Sequence, residues 1–369
     1  MDLHSGRVLL SDIEEYLQNG SLSQEKPYSF QSWSKLQREY VQSLDPKTTL
    51  PNSPNAVDFR YWGLKETENT YGDLLSTHWK LGKATTSKLA GPAQAAFKTE
   101  MPEMLVAAIV HSFANVFPDR VMPAVFTEGH GREPWTDDTD LSTTIGWFTT
   151  MFLLQIMPGD RFAETLKRVK DYYRSIPGKG LPYFSARYLK NDGSGLDFLE
   201  SQEILFNYIG SFQQLERSDA LLSRVPAHDF KVRDKSPSMH RPHVFEISAT
   251  MEMGELHFKV EYPKNMQHQQ AVTTWAAALK AVLQEASQVL PKMKPQPTIN
   301  DFPLMNFTPK ILNELGGVQF PALNIDWANV EDISPCSPMQ HAILISQSKD
   351  ERALSGQVHG RTSVQSRDH

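Results

Sequence analysis

Between Glu100 and Phe117, the side chains of Met101, Met104, Leu105, Ala108, Ile109, Phe113 and Val116 fall on one helical stripe. That spacing predicts the strongest helix in the chain. A few residues on, Val121–Thr127 is apolar and β-branched and reads as a buried strand. A helix this apolar beside such a strand needs a sheet to cover, so the unit points to layered α/β packing. The alternation continues. Phe162, Leu166, Val169 and Tyr173 give Arg161–Arg174 a helical stripe, and Thr273–Leu290 reads as helix. Ile204–Tyr208 and His243–Tyr262 are strand-like, the second a hairpin turning near Gly254. Ile145–Met157 is apolar but too mixed to assign. Leu9–Leu17 predicts a short helix with Gly20 as its stop, Ser29–Leu44 a second helix, and Thr48–Asn55 a loop.

The alternation ends near residue 290. Pro291, Pro295, Pro297, Pro303 and Pro309 make 291–329 read as a linker extended over a surface. A new segment covers 330–351, and the polar, unpatterned 352–369 reads as a disordered tail. With 369 residues, 40% of them apolar, one large domain or two smaller ones are expected. A net charge of −6 without a cluster of Lys and Arg argues against nucleic acid as a partner. Met1–Leu10 lacks the pattern of a signal peptide, and no apolar run reaches the ~18 residues of a membrane span. With Cys336 as the one cysteine, a cytoplasmic, reducing location is the expectation. The first helix has no preceding strand to cover, which leads to the expectation of a missing upstream partner.

Three clusters carry candidate chemistry. Glu128-Gly129-His130-Gly131-Arg132-Glu133 follows the first predicted strand. Its glycines permit a sharp turn, and its ionisable groups can serve as base, donor and charge partner. A plain polar loop with a surface ion pair is the competing reading, and His130 fits a structural hydrogen bond as well as chemistry. In Phe206-Asn207-Tyr208-Ile209-Gly210 neighbours point to opposite faces, so at most one of Asn207 and Tyr208 is expected in a given cleft. Tyr208 also fits as a core aromatic. Thr144–Thr150 reads first as a core or interface strand. The twelve histidines show no paired metal-ligand spacing, so no metal site is expected.

In this order the clusters resemble the motifs of epimerization domains of fungal-type non-ribosomal peptide synthetases, members of the condensation-domain superfamily. The EGHGRE element corresponds to Glu128–Glu133, the DxSxTVGWFT element to Asp140–Thr149, and the FNYLG element to Phe206–Gly210. Leu153 departs from the proline usual in the family. Met1–Leu10 is similar to the text following the paired histidines of the family's HHxxxD motif, with Asp2 matching its aspartate. Val330–Gln340 resembles the opening of a following condensation domain, with Ser334 in place of a tyrosine.

The resemblance implies a chloramphenicol-acetyltransferase-like fold, of which residues 1–290 form mainly the carboxy-terminal lobe. It implies L-to-D epimerization of an aminoacyl or peptidyl thioester, with no cofactor bound directly. The substrate would ride on the 4'-phosphopantetheine of a peptidyl carrier domain, with neighbouring synthetase domains as further partners. Glu128 is then one acid/base group, Asn207 and Tyr208 are catalytic candidates, and His130 and Arg132 orient substrate. The motif histidines are absent from this chain, so the expectation is a truncated domain, inactive alone. Condensation-type acyl transfer and a non-catalytic remnant are the alternatives; EGHGRE, which ordinary condensation domains lack, favours epimerization.

Overall fold

The computed structural model describes residues 1–23, 27–45, 48–49, 57–65, 69–133, 139–190, 202–211, 213–222 and 235–349. The chain divides into two compact units, 1–300 and 301–369. In the first unit, helices α1 (Leu3–Asn19) and α2 (Phe30–Ser43) lead to strand β1 (Leu74–Leu81), short helices α3 (Lys83–Ala90) and α4 (Pro92–Ala95), and the long helix α5 (Met101–Val116). Then come β2 (Val125–Gly129), β3 (Thr150–Leu154), α6 (Phe162–Ser175), α7 (Leu181–Leu189), β4 (Gln202–Ser211) and α8 (Gln213–Glu216). The hairpin β5 (His243–Glu252) and β6 (Glu255–Pro263) precedes α9 (Gln269–Val289). The architecture is α/β, with a six-stranded mixed sheet ordered β1-β6-β5-β4-β2-β3.

The pairs β2·β4 and β4·β5 are parallel and the other three antiparallel. The three strand segments read from sequence therefore sit side by side. Period-two alternation sorts their side chains. Phe245, Ile247 and Ala249 of β5 are buried, as are Leu256, Phe258, Val260 and Tyr262 of β6. Between them Glu246, Ser248, Lys259 and Glu261 stand on the opposite, polar face. Helices α5 and α9 cover the apolar face: Trp275 of α9 meets Phe113, Phe117 and Phe245 edge-on, and its indole donates to Ser112 Oγ at 3.0 Å. Helix α5 is buried on nearly every side because α6 packs on it as well.

Several boundaries move from the sequence reading. Helix α1 starts at Leu3 rather than Leu9, because Asp2 caps it by accepting from Ser5 N at 2.7 Å. The first strand is Val125–Gly129, not Val121–Thr127: Val121 is exposed and Pro123 cannot join the ladder. Glu128 thus lies within the strand. Thr144–Thr149 is not a strand, since its backbone turns toward α1; β3 begins at Thr150. The hairpin turns at Met253–Gly254, both with positive φ. Residues 293–298 are irregular and pinned to the helices, with Gln296 N bonded to Ala96 O at 2.8 Å.

The 301–329 stretch is not extended, as its prolines open helical turns rather than polyproline. It holds α10 (Pro309–Glu314), a π turn (Leu315–Gln319) and α11 (Phe320–Ala322). Phe302 and Phe320 pack on Trp327. Helix α12 (Pro338–Lys349) follows. Most of Thr48–Asn55 and all of the 352–369 tail lie outside the described residues. Among the described residues no helix is long and apolar enough to cross a membrane.

Beneath the sheet's amino-terminal edge, buried Glu203 accepts from Trp62 Nε1 at 2.8 Å and from Arg120 Nη2 at 2.6 Å. Replacing Arg120 by Met leaves that carboxylate buried without its counter-charge. The expected loss is about 3–5 kcal/mol, read as a lower urea midpoint at unchanged slope; an unchanged midpoint would show that the pair does not hold the edge.

Candidate functional site

Parallel pairing of β2 and β4 places Thr127 beside Phe206. One residue further along, Glu128 and Asn207 therefore point out side by side on the polar face. Asn207 Nδ2 donates to Glu128 Oε2 at 2.8 Å. Burial pushes the Glu128 carboxyl above its ordinary value, and the charge of Glu246 adds to this against the opposing charge of Lys235. Two clefts meet here. One, about 530 Å³, lies between α1, the Glu128–Arg132 segment and the end of β4, with Arg7, His130 and Tyr208 in its wall. The other, about 650 Å³, runs over the polar face past Lys235, Glu246 and Lys259. Glu128, Asn207 and Ile209 border both.

Asn207 and Tyr208 both line the first cleft, against the expectation that one strand face excludes the other. Their side chains do lie on opposite faces, with Tyr208 partly packed on the core. The cleft reaches both because it wraps the strand's end, where the register shifts between Tyr208 and Gly210.

Arg132 does not reach Glu128. Its guanidinium is buried and donates to Leu141 O at 2.5 Å, Thr144 O at 2.7 Å, Ser5 Oγ at 2.8 Å and Asp2 Oδ1 at 3.2 Å. It also lies 4.1 Å from the centre of the Phe148 ring. The substrate-orienting role read for it gives way to a structural one. Asp2 is similarly committed: beyond Ser5 and Arg132 it accepts from Phe148 N at 2.9 Å. Ser5 Oγ closes the knot by donating to Gly146 O at 2.8 Å. His130 is exposed at the cleft mouth. Its Nδ1 accepts from Arg132 N at 3.1 Å, and its Nε2 lies 3.2 Å from Glu133 Oε1, which also pairs with Lys179.

Gly131 is required by geometry. Its φ is +63°, and a Cβ there would lie 1.6 Å from Phe148 O. Any side chain would push the motif loop off the segment that Arg132 holds.

Sequence reasoning missed Arg7, which α1 carries into the first cleft, and the Lys235–Glu246 pair of the second. For Glu246 a signal existed in the polar alternation of Glu246, Ser248 and Thr250 along an otherwise apolar strand. For Arg7 none did, since one arginine on a helix is ordinarily a solvated residue. Among the described residues no three His, Cys, Asp or Glu side chains gather as a cation site.

The sequence profile of the condensation domain matches residues 1–294, and the chain belongs to that family. It is 40% identical over 357 residues to "Nonribosomal peptide synthetase ungA'" of Aspergillus campestris, covering 95% of this chain and 4% of that protein. Against "Nonribosomal peptide synthetase atnA" of Emericella nidulans it is 38% identical, covering 96% of this chain and 5% of that protein. It thus spans a small fraction of the fungal synthetases it matches. Among solved structures, the epimerization domain from the third module of tyrocidine synthetase B superimposes with a TM-score of 0.66 at 22% identity, covering 79% of this chain and 67% of that one. At that identity the likeness shows the fold: a condensation-domain, chloramphenicol-acetyltransferase-like α/β architecture.

The knot around Asp2 has a pH signature. Burial alone would raise its carboxyl, but the bonds from Ser5 and Phe148 and the charge of Arg132 outweigh it and hold the value below the ordinary one. A carboxyl depressed on folding contributes stability above its unfolded value of about 3.9, and that stability is lost as pH falls through the lower folded value. Melting temperature is therefore expected to fall below about pH 4, and this component should vanish in Asp2→Asn. Asp2→Ala is expected to cost about 3–5 kcal/mol by uncovering Arg132. Identical acid limbs for wild type and Asp2→Asn would exclude the knot as their source.

Proposed function

We propose that the chain is part of an epimerization domain that inverts the α-carbon of a carrier-bound aminoacyl or peptidyl thioester from L to D. The observation that carries this reading is Glu128: half-buried, bonded to an uncharged amide, and raised above its ordinary carboxyl value by burial where two clefts meet. A carboxyl in that state can hold a proton and return it near neutral pH, as inversion requires on one face of the substrate. Asn207 orients it, and Tyr208 forms part of the wall beyond. The family resemblance assigns the opposite face to a histidine of the HHxxxD motif, whose closing aspartate corresponds to Asp2. No cofactor is bound directly in this reading, and the thioester arrives on the phosphopantetheine arm of a peptidyl carrier domain. Neighbouring synthetase domains are the remaining partners.

In an intact synthetase carrying this segment, Glu128→Gln is expected to lower solvent-deuterium incorporation at the substrate α-carbon by ~10²- to 10⁴-fold, with thioester loading intact. Undiminished incorporation would remove Glu128 from the reaction. Peptide-bond formation without any α-exchange would instead support condensation-type acyl transfer.

A further inference from the structure

Removal of an α-proton from a thioester leaves its electron pair as an enolate, with the negative charge on the thioester oxygen. A pre-positioned donor facing that oxygen lowers the barrier. Most donors around the first cleft are turned elsewhere. Arg132 is held by Asp2, Ser5 and two carbonyls, Asn207 faces Glu128, and His4 Nε2 lies 2.9 Å from Ser142 O. His130 is taken up between Arg132 N and Glu133.

Arg7 is also bonded within the protein, and both it and Tyr208 line the cleft wall. Arg7 leaves α1 one residue past Gly6, just after the Asp2–Ser5 knot, so the interactions that dock the helix also place this side chain. Its Nη2 donates to the carbonyl of Ile209 at 2.8 Å. Ile209 is the extra residue of the β4 irregularity, between the pairs Tyr208–Ala249 and Gly210–Thr250. A bulge of this kind re-aims neighbouring groups, and here it turns a carbonyl toward the guanidinium. Tyr208 shares the wall. Burial draws the Arg7 guanidinium below its ordinary range while the phenol of Tyr208 opposes this; burial raises Tyr208 while Arg7 opposes that in turn. The Arg7 guanidinium bonds the residue next to Tyr208, and both side chains line the same cleft. Together they make a cationic, hydrogen-bonding surface in the cleft that Glu128 borders.

We propose that Arg7, with the Tyr208 phenol beside it, binds the thioester oxygen of the substrate and takes up the charge that develops there. The proposal rests on the epimerization reading. The C–H bond on one face breaks toward the opposing base, and its electron pair enters a C=C bond as the carbonyl becomes an oxyanion facing Arg7. Glu128 then gives its proton to the other face of the α-carbon, and the oxyanion returns to a carbonyl. Exchange with solvent then removes the proton from the opposing base and restores one to Glu128, so no oxidant or co-reactant enters and the net change is configuration alone.

The test uses an intact synthetase carrying this segment, its carrier loaded with the aminoacyl substrate in deuterated water. Arg7→Ala is expected to slow α-deuterium incorporation by ~10²- to 10³-fold with KM for the loaded carrier little changed. Arg7→Lys should retain part of the rate, and millimolar guanidinium chloride should restore part of the rate to Arg7→Ala but not to wild type. An undiminished rate in Arg7→Ala would overturn the assignment and leave the epimerization reading standing. So would equal rate losses in both variants, matched by lost folded protein and unresponsive to guanidinium, because Arg7 would then only staple α1 to β4. Absence of exchange in the unaltered protein would overturn both.

Discussion

The buried guanidinium of Arg132 is the point on which the geometry of the cleft depends. It joins the amino-terminal cap of α1, the turn through Leu141 and Thr144, and the loop that leaves β2. Removing a guanidinium from water is costly, and the cost is met only when all its acceptors are in place. The arrangement is therefore close to all-or-none. Asp2, Ser5 and the 141–148 backbone arrive together, or Arg132 has no favourable place to sit. Gly131 and Gly146 allow this approach, one beneath the Phe148 carbonyl and the other against the Phe30 ring.

Docking α1 in this way has a consequence at the far side of the cleft. The helix carries His4 and Arg7 across to Ser142 and Ile209, so a structural charge pair sets the distance between the helix and the end of β4. The sheet itself is divided by its pleat. One face is sealed under Trp275, Phe113 and Phe117, and the other offers polar groups to open space. Glu128 is on the open face but at a strand end, where the motif loop and α1 shelter it. Partial shelter suits a proton-transfer group, since full burial would fix it neutral and full exposure would leave it an ordinary surface carboxylate.

The fold was largely legible because hydrophobic period is a local signal. Met101 through Val116 declared α5, and Phe245 to Val260 declared a hairpin, with no knowledge of tertiary structure. The beginning of β2 was misread because Val121 and Met122 look like strand residues, while what stops the ladder is Pro123. Thr144–Thr149 failed for a different reason. Phe148 is buried while Ile145 and Trp147 are exposed, and the segment's backbone is spent on α1 through Gly146 and Phe148; no local pattern shows a bond made to a residue 141 positions away. The ionisable groups of the motif loop were visible as candidates, yet their division of labour was not. Which of Arg132 and Asn207 reaches Glu128 depends on strand register, which pattern alone does not supply.

The division becomes intelligible when the carboxylates of the structure are compared by partner. Asp2 meets Arg132 and backbone donors and is held below its ordinary value. Glu246 is surrounded by His243, Lys235 and Arg241, which overcome its burial and hold it down at about 2. Both are committed anions, suited to fixing structure and not to exchanging protons near neutrality. Glu128 has an amide as its hydrogen-bonding partner, and an amide can orient a carboxyl without supplying the positive charge that would keep it ionised. Its raised value follows from burial first and from the standing charge of Glu246 second. The anion at Glu246 is kept ionised by the His243 hydrogen bond and the charges of Lys235 and Arg241, and so acts as a steady bias on its neighbour. A guanidinium in place of the Asn207 amide would hold Glu128 down as Arg132 helps to hold Asp2. Asn207 thus gives Glu128 an orienting hydrogen-bond partner that supplies no charge, unlike the Arg132 guanidinium at Asp2.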